Sequence, residues 1–246
     1  MDFSFGIVSD FSNIIFLKKI IKSIKDLNIN NYEIIIIGNN SSCIELDDVK
    51  IINYKDNNKL GDISVKKNMI TDIAKYENIV YLHDYILFDK DWYSGYVQFG
   101  SDFDICINII ENIDGSRFRD WCLWKDDGDK YVAENNYLLP YDIKHLTRMM
   151  YISGAYWVAK KTFMIENRIN ERLSWGQGED VEWSIRSRSK TDFKLNENSK
   201  VILLKYKNRI FNCVNDDECD LLKNIREYDD SDSYDLLIEN HLKKWM

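Results

Sequence analysis

Short apolar runs alternate with helix-patterned segments along the first part of the chain. Residues 3–9 and 33–37 are apolar and end in polar residues, which predicts two buried strands. Between them, over residues 13–27, apolar side chains recur every three or four positions, which is the spacing of an amphipathic helix. Residues 49–54 and 79–82 are two further predicted strands. This alternation predicts an α/β fold with a mostly parallel sheet, helices on its faces and right-handed crossovers.

The same alternation continues to about residue 210. Asp62 is the predicted N-cap of a second helix, and helical spacing recurs at residues 92–99 and 160–167. Three more strands are predicted, at residues 103–109, 151–159 and 201–206. Because no linker interrupts this pattern, we expect residues 1–215 to form one domain. Residues 216–246 are acidic and helical in pattern, so we expect an appendage that offers a contact for a homo-oligomer.

Polar side chains stand directly after several of the predicted strands. Ser9 and Asp10 follow the first strand, Asn39 follows the second, and His83 and Asp84 follow the fourth. Open parallel sheets bind ligands outside the carboxyl ends of their strands, so these residues are candidate ligand contacts. An aspartate in such a position is also a common turn former.

The stretch at residues 174–183, Ser-Trp-Gly-Gln-Gly-Glu-Asp-Val-Glu-Trp, carries the strongest sign of catalytic chemistry. Gly176 and Gly178 predict an irregular loop, and Glu179 and Asp180 then begin a helix. A carboxylate held at such a corner has the fixed orientation that a general base needs. The same pattern also serves helix capping and the helix dipole without any chemistry.

Three other segments carry signals of close packing, ligand recognition or motion. The small residues Ser153-Gly154-Ala155 predict a close approach between the backbone and another group. Residues 117–121, which include Arg119, supply groups for phosphate or sugar recognition or, equally, for a surface ion-pair cluster. Residues 126–136 are polar and are predicted to form a mobile flap.

Composition and charge narrow the class of protein. The net charge of −8 argues against nucleic acid as the main partner. Five cysteines without a Cys-x-x-Cys pair suggest neither a disulfide framework nor a zinc site, which is typical of a reducing compartment. No signal peptide or transmembrane segment is recognisable, so we expect a cytoplasmic protein. A peripheral membrane contact stays open, although a solvated surface is favoured, for the lysine face formed by Lys18, Lys19, Lys22 and Lys25.

Taken together, the acidic strand end, the Gly-Ala segment and the Trp-Gly-x-Gly-Glu-Asp loop resemble the GT-A fold nucleotide-sugar glycosyltransferases. The similarity is to the family 2-like group over about residues 3–210, and the loop at 175–180 is also similar to that of the β-1,4-galactosyltransferases. The resemblance implies a Rossmann-like, mostly parallel sheet. It also implies transfer of a sugar from a nucleotide-diphosphate donor, a UDP-sugar, to a hydroxyl acceptor in glycan or surface polysaccharide synthesis.

A donor site follows from the same resemblance. It implies nucleotide-sugar contacts by Ser9, Asp10, Asn39, Lys66, Asn68, His83 and Asp84. Where the family has two acids, this chain has His83-Asp84-Tyr85, so Asp84 is expected to face Mn²⁺ or Mg²⁺. One carboxylate is sufficient when substrate phosphates and water complete the metal's shell. His83 either adds a nitrogen ligand, which favours Mn²⁺, or stays a neutral, hydrogen-bonded imidazole.

The resemblance also implies an acceptor site. Trp175, Gly178 and Glu179 would bind the acceptor, and Asp180 would take the proton from its hydroxyl. This pair of carboxylates fits inversion in a single displacement better than retention. A second class of function is an inactive nucleotide-sugar-binding or scaffold protein on the same fold, because the acidic motif is incomplete. A nucleotidyltransferase lacks support, because no glycine-rich phosphate loop lies near the first strand.

Overall fold

A computed structural model describes residues 1–39, 46–124, 136–142 and 150–207, with a short strand at 212–213. The helices are α1 (Ile14–Lys25), α2 (Ile63–Ile73), α3 (Trp92–Phe99), α4 (Lys161–Glu166) and α5 (Glu179–Arg188). The strands are β1 (Phe3–Ser9), β2 (Tyr32–Gly38), β3 (Lys50–Asn53), β4 (Asn78–His83), β5 (Ile86–Phe88), β6 (Ile105–Asn112), β7 (Cys122–Trp124), β8 (Asn136–Leu138), β9 (Met150–Tyr151), β10 (Tyr156–Lys160), β11 (Phe193–Leu203) and β12 (Asn212–Cys213).

Eight strands form the central sheet in the order β3-β2-β1-β4-β10-β6-β11-β5. The strands β3, β2, β1 and β4 are parallel neighbours, with Ser9 beside Gly38 and Val8 beside His83. β10 runs antiparallel to β4 and β6, and β11 is parallel to β6. β1, β4, β6 and β11 therefore point in one direction, and their carboxyl ends share one edge of the sheet. The predicted α/β fold with a mostly parallel sheet is confirmed.

Burial of apolar side chains explains why the first elements form. Every residue of β1 is buried, as are residues 34–38 of β2, which is expected of strands covered on both faces. Asn13 begins α1, and its side chain accepts a hydrogen bond from the Phe16 amide at 3.1 Å. The buried face of α1 has the predicted spacing and consists of Leu17, Ile20, Ile21 and Ile24.

The strand predicted at residues 151–159 is two strands in the structure. β9 belongs to a second, four-stranded sheet ordered β12-β8-β7-β9, whereas β10 belongs to the central sheet. Between them Gly154 packs against the first turn of α5. The short connection therefore carries the chain from one sheet to the other and brings a backbone segment against the helix.

β11 begins at Phe193, earlier than predicted. The prediction missed the first half of this strand because that half is polar and carries a bulge between Asn196 and Lys200, which hides the strand pattern. The other helices and strands predicted within the described ranges are confirmed, with ends that agree within a few residues. Residues 216–246 and residues 126–135 of the predicted flap lie outside the described part of the chain. Within the described ranges, no helix combines the length and apolar character that crossing a bilayer requires.

Candidate active site

A cleft of about 520 Å³ opens at the carboxyl ends of β1 and β4. Side chains that the sequence singled out line it from separate parts of the chain, namely Ser9, Asp10, Lys66, His83, Asp84 and Trp175. Tyr85, Lys205 and part of the loop at residues 56–61 complete its wall. A second cleft of about 460 Å³, near Lys160 and Thr191, lies at the opposite edge of the sheet and contains none of the candidate residues.

Asp84 is fixed at the floor of the cleft by the strand beside it. Because Val8 pairs with His83 in the parallel ladder, Ser9 and Asp84 are also neighbours. The Ser9 hydroxyl donates to Asp84 Oδ2 at 2.6 Å and accepts a hydrogen bond from the Phe11 amide at 2.9 Å. Burial raises the pKa of Asp84 and the nearby charge of Asp10 adds to this, whereas the Ser9 hydrogen bond opposes it.

His83 is held by a chain of hydrogen bonds through Tyr85. Lys207 Nζ donates to the Tyr85 hydroxyl at 2.7 Å, and that hydroxyl lies 3.0 Å from His83 Nδ1. The Tyr85 hydroxyl therefore accepts from the ammonium and either donates to Nδ1 or accepts from it, depending on the tautomer of the imidazole. Burial, together with the charges of Lys67, Lys207 and Lys66, lowers the pKa of His83 well below 6.5, so the ring is neutral.

The Nε2 atom of His83 is buried and has no hydrogen-bond partner among the residues that the structure describes. A neutral imidazole can use this nitrogen either as a hydrogen-bond donor or, in the other tautomer, as a lone-pair ligand for a cation, so both roles that the sequence suggested for His83 stay predictions. An unpaired buried donor is costly unless a ligand atom accepts from it.

Cations gather on the Asp84 side of the cleft. The pKa of Lys207 is lowered to about 8. Burial is the largest cause, the charges of Arg119 and Lys205 act in the same direction, and Asp84 opposes them. Lys207 also lies 4.2 Å from the centre of the Tyr85 ring. Its main chain is tied to Asn112, whose side chain bonds to both the amide and the carbonyl of Lys207. The segment after β11 therefore carries positive charge to the carboxyl end of β4.

The carboxylates of Glu179 and Asp180 lie at the first turn of α5, as the sequence predicts. Gly178, with a φ of 75°, is in the left-handed region that favours glycine. Asp180 Oδ2 accepts a hydrogen bond from the Gly154 amide at 2.7 Å, and Oδ1 accepts one from Val181 at 2.9 Å. A Cβ on Gly154 would lie 3.1 Å from Asp180 Oδ2 and 3.2 Å from Glu179 Oε1, which confirms the predicted close approach of this backbone.

Lys67 completes this cluster from α2. Its side chain is 1% exposed, and Nζ lies 3.0 Å from the Gly154 carbonyl oxygen and 3.9 Å from Glu179 Oε1. The same ammonium sits 4.6 Å from the centre of the Trp157 ring. The pKa of Glu179 is raised to about 7. Burial is the largest cause, repulsion by Asp180 acts in the same direction, and Lys67 opposes them. Burial also lowers the pKa of Lys67, against the attraction of both carboxylates.

Tyr85 interacts electrostatically with both groups of charges. Burial raises the pKa of its hydroxyl, and Asp84, Asp180 and Glu179 all contribute in the same direction while Arg119 opposes them. Neither Glu179 nor Asp180 lines the cleft: Glu179 is buried and Asp180 is half-buried, and the cleft reaches their loop through Trp175.

The donor atoms fit a divalent cation only in a limited way. Among the described residues, no three His, Cys, Asp or Glu side chains are grouped as metal ligands. Asp84 offers one carboxylate at a polar cleft, which suits Mg²⁺ or Mn²⁺ when phosphate oxygens and water supply the other ligands.

Known structures with a similar fold are glycosyltransferases. GalNAc-T7, solved with UDP, GalNAc and Mn²⁺, matches 86% of this chain and 45% of its own with a TM-score of 0.64 at 17% identity. S. aureus TarS residues 1–349 match 84% of this chain and 59% of theirs, with a TM-score of 0.51 and 12% identity. A second S. aureus TarS structure matches 83% of this chain and 37% of its own, with a TM-score of 0.57 and 11% identity.

The chain has the GT-A fold. It spans between 37% and 59% of the length of these solved structures. No protein-family model matches the sequence, and no curated protein matches it.

Three residues predicted to contact the donor are not free to do so at the cleft or do not line it. Asn68 is 1% exposed, and its amide group bonds to both main-chain polar atoms of Ile169 and to Glu171, so it joins α2 to that segment and does not reach the cleft. Asn39 is exposed and does not line the cleft. Lys66 lines the cleft, but its ammonium already lies 2.7 Å from Asp56.

The acceptor-side residues Trp175 and Gly178 belong to the loop before α5. The Trp175 side chain is 57% exposed at the cleft, and its amide donates to the Gly61 carbonyl at 3.1 Å. Asn58 also donates to the Ser174 hydroxyl at 2.9 Å. The loop that presents Trp175 is therefore fastened to the loop that precedes α2.

Lys67 and Lys207 are site residues that the sequence analysis did not assign, although each had a signal. Lys67 has the same helical phase as Ile63, Ile70 and Ala74, which are all buried, so a lysine there is unusual. Lys207 follows a strand whose carboxyl end is on the same edge as β1 and β4. The rule that selected Ser9 and Asp84 could have selected Lys207 if the direction of β11 had been known.

The buried Glu179 carboxyl predicts a pH-dependent stability. Its pKa is about 7 in the folded protein against an ordinary value of 4.5, so between these values the folded state binds more protons than the unfolded chain. The free energy of unfolding contributed by this group then falls as the pH rises. In Glu179→Gln this loss is absent, so we expect the variant to gain stability relative to wild type from about pH 4.5 to about pH 7. Urea denaturation across that range checks it, and parallel pH profiles would contradict it.

Proposed function

We propose that the protein is a glycosyltransferase that moves a sugar from a nucleotide-diphosphate donor, a UDP-sugar, to a hydroxyl of a glycan or other acceptor. The observation that carries the proposal is the cleft at the carboxyl ends of β1 and β4, where Ser9, Asp10 and Asp84 lie with Lys66 and Lys205. Glu179 and Asp180 begin the helix that follows the loop of Trp175, which lines the same cleft. The similarity to GalNAc-T7, whose structure contains UDP and Mn²⁺, supports the choice of donor and cation. Synthesis of glycans or surface polysaccharides is the proposed setting.

On the donor side, the nucleotide would lie in the cleft at the end of β1, against Ser9 and Asp10. The diphosphate would lie toward Lys205, Lys207 and Arg119, whose positive charges favour an anionic leaving group. Nε2–H of His83 would donate to an oxygen of the donor. Asp84 would hold Mn²⁺ or Mg²⁺, and the bound cation would offset negative charge on the departing diphosphate.

On the acceptor side, Trp175 offers an exposed aromatic face for a sugar ring. Asp180 would accept the proton of the attacking hydroxyl, and Glu179 would hold the acceptor. Each oxygen of Asp180 accepts one backbone hydrogen bond, which fixes the carboxylate but leaves further lone pairs for an acceptor hydroxyl. Attack from the carboxylate side with departure of the diphosphate on the other side favours inversion at the anomeric carbon.

An inactive nucleotide-sugar-binding protein is the second candidate. It is favoured by the single carboxylate of His83-Asp84-Tyr85 and by the lack of a three-ligand metal cluster among the described residues. The two candidates differ in slow chemistry, because an enzyme transfers some sugar to water when the acceptor is missing. UDP release from a panel of UDP-sugars over several hours separates them.

Nucleotide binding provides the first test of the proposed function. A ligand at 100 times its Kd stabilises the folded state by about 2.7 kcal/mol. For a chain of this size, each kcal/mol raises Tm by about 2 to 4 °C. We therefore expect UDP with Mn²⁺ to raise Tm by about 5 to 10 °C in thermal-shift measurements. If no nucleoside diphosphate or nucleotide sugar raises Tm with any divalent cation, the proposal is wrong.

A further inference from the structure

We propose that Lys67 is a positioning residue for the Glu179–Asp180 pair. The ammonium of Lys67 balances the charge of the two carboxylates and sets the pH range in which the pair acts as a base. The proposal rests on the proposed function for its catalytic part. Lys67 is 1% exposed, and neither it nor the two carboxylates lines the cleft, so its ammonium faces Glu179 and the Gly154 carbonyl and not the proposed nucleotide site.

The first argument is the geometry of the connection to Asp180. Gly154 contacts both charged groups through its backbone: its amide donates to Asp180 Oδ2 at 2.7 Å and its carbonyl accepts from Lys67 Nζ at 3.0 Å. The absence of a side chain at Gly154 lets α5 approach this closely. A shift of the lysine would therefore be transmitted to the peptide that holds the Asp180 carboxylate.

The second argument concerns charge. Two adjacent carboxylates in a buried setting repel each other, and a cation 3.9 Å from Glu179 Oε1 offsets that repulsion. The Trp157 ring, stacked on Tyr81, lies 4.6 Å from the ammonium, which is shielded from solvent because the lysine is 1% exposed. The other titratable groups whose interaction with this cluster is resolved are His83 and Tyr85, both of which are neutral at pH 7 because burial shifts their pKa values toward the uncharged forms.

Replacement of Lys67 by methionine is the direct test. Lys67→Met keeps the length of the side chain but removes the charge, so the pKa of Glu179 should rise by about one unit or more, the usual effect of losing an opposite charge at this distance. Carboxyl ¹³C NMR titration, assigned with Glu179→Gln, measures that shift without any assay of activity. The acid limb of UDP release against pH should move up by a similar amount, whereas KM for the UDP-sugar should stay unchanged.

Lys160→Met is the matched control. Lys160 also donates one hydrogen bond, to Asn78 Oδ1 at 2.8 Å, and lies 4.5 Å from the centre of an aromatic ring, Phe103, but at the opposite edge of the sheet. This variant should move neither the Glu179 titration nor the acid limb. A purely structural role of Lys67 would lower the stability of Lys67→Met but leave its Glu179 titration and its acid limb where they are in the wild type.

A double variant covers the case in which Lys67→Met does not fold. Lys67→Met/Glu179→Gln removes both partners and leaves no unbalanced charge at position 179. Its acid limb should lie at higher pH than that of Glu179→Gln alone, because Asp180 has also lost the lysine. An unmoved Glu179 midpoint, or equal acid limbs in this pair, would overturn the inference. If the wild type turns over no UDP-sugar, the proposed function fails, but the NMR titration still decides whether Lys67 balances the pair.

Discussion

Asp180→Asn should lower sugar transfer by about 10² to 10⁴-fold while UDP binding survives, because this substitution removes the proposed general base. The asparagine oxygen can still accept the hydrogen bond that Gly154 now donates to Asp180 Oδ2 at 2.7 Å, whereas the bond from the Val181 amide to Oδ1 is lost. With the Gly154 contact kept, we expect the start of α5 to stay in place. Single-turnover UDP release from a UDP-sugar, together with a UDP thermal shift, measures the two properties separately.

Asp91→Asn is a control for the effect of an acid at a helix start. Asp91 is the N-cap of α3 and makes no side-chain capping hydrogen bond. Like Asp180, which is the second residue of α5, it places a carboxylate at a helix start, but it lies away from the cleft. Loss of the helix-dipole interaction alone costs about 0.3 to 1 kcal/mol of stability and should leave turnover intact. If Asp180→Asn retains more than about a tenth of wild-type transfer, well above the usual general-base loss, Asp180 is not the base and Glu179 becomes the candidate.

The second large effect is expected at Asp84. Asp84→Asn should abolish the Mn²⁺-dependent part of UDP stabilisation and lower turnover by about 10²-fold or more, since a bound cation supplies several kcal/mol of charge stabilisation. The Ser9 hydroxyl can still donate to the amide oxygen that replaces Oδ2 of Asp84, so the strand ends should stay paired. Isothermal titration of UDP with Mn²⁺ and with EDTA separates the two contributions.

Asp10→Asn provides the comparison for Asp84. Asp10 lines the same cleft, but its Oδ1 accepts a local hydrogen bond from the Ser12 amide at 2.8 Å. As a proposed nucleoside contact, it should weaken UDP binding by the same factor with Mn²⁺ and with EDTA. If Asp10→Asn loses the Mn²⁺-dependent part of UDP binding and Asp84→Asn keeps it, the cation is held by Asp10 and the assignment to Asp84 is wrong.

The elements that carry the site could be predicted where periodicity or glycine was decisive. The apolar runs of β1 and β2 and the helical spacing of α1 gave the parallel half of the sheet. The alternation of strands and helices implies that neighbouring strands are parallel. Ser9 and Asp84 could therefore be placed at the same edge of the sheet from the sequence, and in the structure they share a hydrogen bond of 2.6 Å. Gly178 and the acids after it located the start of α5 in the same way.

The partners of each charge could not be predicted, because they depend on helix phase and on strand pairing. Lys66, Lys67 and Asn68 are adjacent in the sequence, yet successive helix positions differ by about 100°, so the three side chains meet Asp56, Glu179 and Ile169, respectively. Likewise, the hydrogen-bond chain that holds His83 ends at Lys207, which is distant from it in the sequence.

The two hydrogen bonds that fasten residues 174–175 to residues 58 and 61 have a consequence for how substrates are taken up. In the proposed function, the loop before α2 borders the donor and Trp175 meets the acceptor, and both loops line one cleft. A first substrate that orders one loop would then also bear part of the entropy loss of ordering the other. We therefore expect donor and acceptor to be coupled in affinity through two loops, without any contact between the substrates themselves.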